Sequence, residues 1–296
     1  MSQFDRAMAA LDLSDMDQAV LRFLGAIAPV LPIRKTYFIH VIPDFSVPQQ
    51  VDLAFQQLFD PDSPIDERVE ARIREAIDQH LGGNPAMEVA VEVVEGKPYE
   101  RLTHWAAVKH VDLLVVGHKV FSEGSGITPK RVARKVEANV LFVPFNPPKA
   151  LKKVVVPIDF SDNALRALRL VLDWAARVPD LEIQLIYIVD MPPADYYIKP
   201  YGDKGYRALL LDSARQTFAD FVEKHGLEEV QGLEPVFIPN DFNSVAAHLD
   251  EWIKDNGADL VVMGAQGHSA FENLIYGSVT ERFVQRSTKS PILIVR

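Results

Sequence analysis

Short apolar runs alternate along the chain with longer stretches in which apolar residues recur at helical spacing. The runs are too short for helices and are bounded by Gly, Pro, Asp or Asn, so each predicts a buried strand. The longer stretches predict amphipathic helices. Strands that alternate with helices indicate parallel sheets joined by right-handed crossovers. We therefore expect an α/β fold with helices on both faces of the sheets.

The pattern occurs twice, as a diverged repeat of close to half the chain length. The first half predicts strands near 8–13, 36–42, 87–94, 112–116 and 139–143, and helices at 15–28, 65–81, 98–109 and 128–137. The second half predicts strands near 154–158, 183–189, 234–238, 259–263 and 292–295, and helices at 163–177, 206–225, 243–256 and 278–288. Segments 43–64 and 190–203 are rich in Pro, Asp and aromatic residues and predict long loops. A stiff Asn-Pro-Pro turn separates the halves, so we expect domains 1–147 and 148–296.

Composition excludes several classes of protein. The chain has 296 residues, 48% of them hydrophobic, with a net charge of −10 and no cysteine. A nucleic-acid surface would need a basic patch, and no dense Lys/Arg cluster occurs. Disulfides, thiolate metal sites and a Cys nucleophile are excluded. No apolar run reaches the roughly 18 residues that a membrane helix needs, and the N-terminus does not resemble a signal peptide. We expect a cytoplasmic protein with neither a nucleic-acid nor a membrane partner.

A glycine-bearing loop near the C-terminus is the strongest chemical signal. The buried run 259–263 is followed by Gly264 and Gly267, and Gly277 and Ser278 then begin a helix. The free N–H groups of a first helical turn and the positive end of its dipole favour an anion at this position. Ser278 could cap the helix or offer its hydroxyl to a phosphate oxygen. The glycines could also merely turn the chain, with no ligand.

The spacing Gly264-x2-Gly267-x9-Gly277-Ser278, with the strand before it and Val279 after it, is similar to the nucleotide loop of the ATP-binding branch of the universal stress protein family. The likeness extends over the whole chain as two tandem copies and is weaker in the first. It implies two domains that each contain a five-stranded, mainly parallel sheet with helices on both faces, as in the adenine nucleotide α-hydrolases. The implied ligand is ATP, with or without Mg²⁺, and the implied role is regulation in a stress response.

The resemblance also implies which residues bind the nucleotide. Asp159 would accept from the exocyclic amine of adenine, where guanine presents a carbonyl; its plainer interpretation is a helix cap. A Tyr187-Ile188 pair replaces the family's usual His-Val pair, which leaves a backbone contact possible. No catalytic residue and no metal ligand is implied. The implied contacts are Pro157, Asp159, Ile188, Met263, Gly264, Gly267, His268, Gly277, Ser278 and Val279.

The first half lacks this loop. Between Gly117 and the next helix the chain is shorter, Val120 stands where the other half has Gly267, and Glu123 would repel a phosphate. We therefore expect a degenerate pocket there, although His118 and Lys119 leave a different anion open. One ATP per chain follows, in the second half.

Two rival functions stay open. The chain has no Gly-x4-Gly-Lys-Ser/Thr run and no glycine after Asp159, which excludes an ordinary P-loop and a dinucleotide fingerprint. No general base or set of metal carboxylates is evident in the loop, where Glu272 is the only acid, so the sequence favours a binding regulator over an efficient enzyme. The alternatives are a slow ATPase or other nucleotide-dependent enzyme, and an interaction module that binds no nucleotide.

The last strand of each half predicts how the halves associate. Residues 140–143 and 292–295 are entirely apolar, and a final strand is often a sheet edge that must be covered. Single-domain members of the family pair such edges between chains. The short joint at Pro147 and Pro148 keeps the halves close, so we expect them to form a pseudo-dimer within one chain. A homodimer of whole chains stays open.

Overall fold

The computed structural model describes residues 4–31, 33–42, 65–81, 87–119, 127–191, 202–230, 232–241, 244–267, 276–287 and 289–296. The chain divides into two compact units, Met1–Ala150 and Leu151–Arg296. The sequence pattern had placed the boundary between Pro147 and Pro148. The long loops predicted at 43–64 and, for most of its length, at 190–203 lie outside the described residues.

The first domain is a parallel α/β sheet with strand order β3-β2-β1-β4-β5. Its helices pack in two pairs, α1 with α2 and α3 with α4. In chain order its elements are β1 (Arg6–Leu11), α1 (Asp15–Ile27), β2 (Lys35–Ile42), α2 (Ile65–His80), β3 (Glu88–Glu95), α3 (Pro98–Val108), β4 (Leu113–His118), α4 (Ile127–Lys135) and β5 (Asn139–Pro144).

The second domain repeats this architecture. Its strand order is β10-β9-β6-β7-β8, and every neighbouring pair is parallel. Its elements are β6 (Lys153–Pro157), α5 (Asp162–Ala175), β7 (Glu182–Asp190), α6 (Gly202–His225), β8 (Pro235–Asn240), α7 (Val245–Asn256), β9 (Leu260–Gly264), α8 (Ser278–Arg286) and β10 (Ile292–Val295). The predicted fold class, two tandem α/β domains with mainly parallel sheets, is confirmed.

Apolar strands and serine caps explain these elements. The middle residues of β1, β4, β6, β9 and β10 are buried, as a sheet covered on both faces requires. Ser14 begins α1 and accepts from Met16 N, and Ser161 begins α5 and accepts from Ala164 N. Helix α5 buries one apolar face that ends in Trp174, and each large side chain buried in this way stabilises the fold by roughly 1.5–3 kcal/mol.

The order in which strands are added to the sheet reverses in the middle of each domain, while all strands stay parallel. In the second domain β6, β7 and β8 are added toward one edge, and β9 and β10 are then added on the other side of β6. Because parallel crossovers are right-handed, α5 and α6 cover one face, whereas α7 and α8 cover the other. The carboxyl ends of β6 and β9 therefore border a crevice, which is the usual ligand position in such sheets.

Candidate functional site

A cavity of about 320 Å³ opens at this crevice in the second domain. Its volume lies at the lower end of the range for small-molecule sites, about 300–1,000 Å³. Residues from the ends of β6, β7 and β9, from α7 and from the N-terminus of α8 line it. They are Pro157, Ile158, Asp159, Ala164, Ile186, Tyr187, Ile188, Asp190, Val245, Leu249, Met263, Gly264, Gln266, Gly267, Gly277, Ser278, Val279 and Thr280.

Every predicted nucleotide contact that the structure describes lines this cavity. Four stretches of sequence contribute them: the end of β6 with the turn after it, the end of β7, the end of β9 with the loop after it, and the start of α8. His268 lies outside the described residues. The contacts brought together are Pro157, Asp159, Ile188, Met263, Gly264, Gly267, Gly277, Ser278 and Val279.

A short turn after β6 orients the Asp159 carboxylate. Its Oδ1 accepts from Ser161 N at 3.1 Å and from Ser161 Oγ at 2.6 Å, while Ser161 caps α5. Phe160 between them has φ +63°, a conformation that costs a non-glycine residue energy. Its ring packs against Tyr187 at 4.6 Å and Phe221 at 5.5 Å, which offsets that cost. Because Ser161 engages Oδ1, Oδ2 is left to face the glycine loop.

At two glycines a Cβ would overlap a neighbouring residue. A Cβ at Gly264 would lie 2.7 Å from the carbonyl carbon of Asn163, at the start of α5. A Cβ at Gly267 would overlap Oδ2 of Asp159, so the loop backbone and the carboxylate are in direct contact. Backbone that lies this close to the cavity can present N–H groups to a ligand without intervening side chains.

Helix α8 begins without a side-chain cap and points its N-terminus at the cavity. The N-cap residue is Gly277, and its N–H donates to Ala265 O at 2.8 Å. The interpretation of Ser278 as the N-cap is therefore wrong, because Ser278 is the first helical residue. Thr280 Oγ1 donates to Gly264 O at 3.0 Å and ties the helix to the end of β9. The N–H groups of this first turn and the helix dipole favour an anion here.

The opposite part of the cavity is apolar. Ile188 is 9% exposed and Met263 4%, and Ile186 and Leu249 are buried beside them. An apolar slot next to a helix N-terminus suits a ligand with a flat or greasy part joined to an anion. The sequence pattern does not indicate the other lining residues, Ile158, Ala164, Ile186, Asp190, Val245, Leu249, Gln266 and Thr280. Strand alternation from Ile188 could have found Ile186 and Asp190, but the contributions of α7 had no local signal.

The first domain has the same turn, but there the ammonium group of Lys119 contacts the aspartate. Asp12 Oδ1 accepts from Ser14 N at 3.1 Å, and Leu13 has φ +60°. Lys119 Nζ donates to Asp12 Oδ2 at 3.0 Å and to Ser14 Oγ at 3.0 Å. Burial raises the pKa of Asp12, but its bonds to Ser14 and Lys119 outweigh burial and leave it below its usual value. Lys119 stands two residues after Gly117, as Gln266 stands two after Gly264.

A buried carboxylate close to this turn has no counterpart at the same position in the second domain. Asp17 is 7% exposed and accepts from Asp12 N at 3.0 Å and from Leu13 N at 2.8 Å. Burial raises its pKa to about 7, against the opposing effect of those two N–H donors. The same position five residues after the aspartate is Ala164 in the second domain, where it lines the cavity. The first domain thus has ionisable side chains, Lys119 and Asp17, at two positions that Gln266 and Ala164 occupy in the second.

Two further observations concern metal ions and membranes. Within the described ranges, no three His, Asp or Glu side chains are grouped so that they could hold a metal ion. None of the helices described here combines the length and the apolar character needed to cross a membrane.

Fold and site together define a class: doubly wound α/β domains with a glycine-bearing loop and an uncapped helix N-terminus at the switch point. A model of the universal stress protein family matches residues 3–144 and again residues 150–296. The chain belongs to the universal stress protein family and contains two of its domains in tandem.

Similar proteins agree with this assignment. Universal stress protein MJ0531 of Methanocaldococcus jannaschii is 26% identical over 153 residues, which are 49% of this chain and 82% of that protein. Universal stress protein MJ0577 of the same organism is 28% identical over 155 residues, 49% of this chain and 94% of the relative. The crystal structure of a universal stress protein from Archaeoglobus fulgidus has a TM-score of 0.63 at 16% identity and covers 99% of this chain and 98% of its own. It shows the same fold.

Proposed function

We propose that the second domain binds one ATP per chain and that the protein acts as a nucleotide-dependent regulator in a stress response. The observation that carries the proposal is the uncapped N-terminus of α8, which faces a cavity whose loop backbone is kept bare by Gly264 and Gly267. First-turn N–H groups of Ser278 and Val279 suit phosphate oxygens, and the Ser278 hydroxyl adds a donor. The apolar slot and the carboxylate of Asp159 suit the nucleoside.

The residues present fit an adenine nucleotide. A Cβ at Gly267 would overlap Oδ2 of Asp159, so glycine lets the loop backbone approach the carboxylate without displacing it. We propose Pro157, Asp159, Ile188, Met263, Gly264, Gly267, His268, Gly277, Ser278 and Val279 as the binding residues. Mg²⁺, if it accompanies ATP, would be held by phosphates more than by protein carboxylates, as is usual for this ion.

The first domain is proposed to bind no nucleotide. Lys119 donates a hydrogen bond to the carboxylate of Asp12, and the buried Asp17 accepts from the backbone of the same turn. A nucleoside there would meet an aspartate already paired with the ammonium group of Lys119. The stoichiometry of one ATP per chain rests on this contrast.

Analysis of the nucleotide that copurifies with the protein tests the proposal. The purified chain is denatured, the released small molecules are identified by mass, and the stripped protein is titrated with ATP by calorimetry. We expect ATP and a stoichiometry of one. Release of ADP or AMP would favour slow hydrolysis. Absence of binding at millimolar ATP would refute the proposal in favour of an interaction module, and two equivalent sites would refute the assigned stoichiometry.

We also propose that the two domains pair within one chain. Inside its own domain, β5 is bonded only to β4 and β10 only to β9, so each is an edge strand of apolar sequence. Such edges associate unless they are covered. Separate expression of residues 1–147 and 148–296 tests the pairing. Each half should self-associate and the two should recombine on mixing, whereas two monomers without mutual affinity would contradict the proposal. A homodimer of whole chains would appear in sedimentation of the intact protein.

A further inference from the structure

The carboxyl ends of β7 and β8 carry a paired aspartate and asparagine that the site assignment above does not use. Asp190 and Asn240 are register partners on neighbouring parallel strands. Asn240 Nδ2 donates to Asp190 Oδ1 at 2.7 Å, and Asn240 O accepts from Met191 N at 2.9 Å. Asn240 is 8% exposed, so its amide is held in place by burial. It engages Oδ1 of Asp190 and leaves Oδ2 to accept a second donor.

Strand alternation directs Asp190 toward the cavity. Ile186, Ile188 and Asp190 share one face of β7, and all three line the cavity. Val189 and the ring of Tyr187 pack with residues of α6 and β8, although Tyr187 also borders the cavity. Asp190 itself is exposed at the rim, while the isoleucines form the apolar wall below it. The slot therefore ends in a carboxylate.

Asp159 and Asp190 lie at different distances from the phosphate end. Asp159 follows β6 and touches the space beside Gly267, so it lies against the glycine loop. Asp190 ends β7, the next strand away from β9, and strands are about 4.8 Å apart. Tyr187 lies within reach of both charges: burial, then Asp190, then Asp159 raise its pKa. A nucleotide with its phosphates at the glycine loop would have its sugar near β6 and its base near β7.

The first domain lacks the pair although it has the same two strands. Ala10 of β1 pairs with Ile39, and the equivalent Pro157 of β6 pairs with Ile186, so Ile39 and Ile186 occupy equivalent positions. Asp190 lies four residues after Ile186, and its counterpart in the sequence of the first domain is therefore Pro43. The pairing of Ile42 with Glu95 then puts Gly96 in the place of Asn240. If strand ends alone required the pair, both domains would need it. Instead it is absent where the glycine loop is also absent.

We propose that Asp190, positioned by Asn240, selects the base by accepting a hydrogen bond from the exocyclic amine on C6 of adenine, and that Asp159 faces the ribose hydroxyls. This inference rests on the proposed function and changes the role that the resemblance implied for Asp159. A carboxylate accepts but does not donate, so a carbonyl on C6 would face a repelled oxygen at Oδ2. Asparagine at position 190 could instead turn its amide to donate to that carbonyl.

The test compares ATP with inosine triphosphate, which carries a carbonyl in place of the amine and is otherwise closely matched. Calorimetry on the full chain gives Kd for both nucleotides with the wild type, Asp190→Asn, Asp159→Asn and Asn240→Ala. Asp212→Asn, which removes an exposed charge on α6, is the control. We expect Asp190→Asn to reduce the preference for ATP over inosine triphosphate by tenfold or more, Asn240→Ala to reduce it less, and Asp159→Asn and the control to leave it unchanged.

The ratio of ADP to ATP affinity should stay constant in Asp190→Asn, because the phosphate end is not altered. A changed preference in Asp159→Asn with none in Asp190→Asn would overturn the inference and return the base to Asp159. An unchanged preference in both would make the Asp190–Asn240 pair a strand-end contact only. Failure of the wild type to bind ATP would overturn the proposed function as well, whereas the first two outcomes would leave it intact.

Discussion

Substitution of Gly267 by alanine tests whether the glycine loop and Asp159 form one unit. The backbone of Gly267 is outside the left-handed region, so alanine causes no backbone strain there. The added methyl would overlap Oδ2 of Asp159 and nothing in the backbone. The flexible carboxylate must therefore rotate away, against its two bonds to Ser161 at 3.1 and 2.6 Å. The protein should fold, with its carboxylate displaced from the ligand.

The magnitude follows from one lost hydrogen bond to a charged group. Such a bond contributes about 1.5–3 kcal/mol. At 1.4 kcal/mol per tenfold change in Kd, Gly267→Ala should weaken ATP binding by about 10- to 150-fold. Thermal unfolding of the ligand-free protein should change little, because the clash is relieved by a side chain and not by the backbone.

A double-mutant cycle separates this mechanism from a general loss of the site. ATP affinity is measured by calorimetry for the wild type, Gly267→Ala, Asp159→Ala and the double variant. Once the carboxylate is absent, the methyl has nothing to displace, so the double variant should bind ATP about as well as Asp159→Ala alone. Additive effects of the two substitutions would refute the reasoning, since the methyl would then act directly on the ligand.

Three other substitutions give separate tests. Gln266→Lys should reproduce the Lys119–Asp12 contact of the first domain by pairing with Asp159, and calorimetry should show at least tenfold weaker ATP binding; unchanged affinity would contradict this. Gly277→Val should lose most ATP affinity yet keep its circular dichroism, because a Cβ there meets only ordinary contacts at 3.4 Å while its branches cover first-turn N–H groups; a folded variant within threefold of wild-type affinity would exclude α8 as the phosphate site. The pKa of Asp17 is about 7 in the folded state, against 3.8 in the unfolded state. Its contribution to the free energy of unfolding is therefore complete below pH 4 and is lost by pH 7, and it amounts to about 4 kcal/mol at most. Urea unfolding across that range should show this fall in the wild type but not in Asp17→Asn, and parallel curves would contradict it.

Much of the fold could be predicted because turn residues bound the apolar runs. The described strands and helices lie at the predicted positions, mostly within two residues, and the repeat gave the same pattern twice. Helix α6 is an exception, since it begins at Gly202 and not at Tyr206. The helix contains Gly205, which costs about 1 kcal/mol relative to alanine in a helix interior. Packing of α6 on the sheet outweighs that local preference.

The candidate site could be predicted only where local chemistry marks it. Glycines, a strand end and a helix start pointed to the loop residues, and Asp159 followed a strand at the switch point. The sequence leaves open whether Ser278 caps α8, because serine is a common cap, whereas bonds from Gly277 N to Ala265 O and from Thr280 to Gly264 O determine where the helix begins. Lys119 on Asp12 had no local signal, because the residues are far apart in sequence and meet only in the folded domain.

Lys119 gives the two domains different responses to their surroundings. A nucleotide at one hundred times its Kd stabilises the domain that binds it by about 2.7 kcal/mol through mass action. The second domain would therefore gain and lose resistance to unfolding as the cellular nucleotide concentration rises and falls. In the first domain the cation next to Asp12 is the side chain of Lys119, which is part of the same chain, so its concentration near Asp12 does not change. If ATP binds as proposed, the stability of the second domain would follow the nucleotide concentration, whereas that of the first domain would not respond to it.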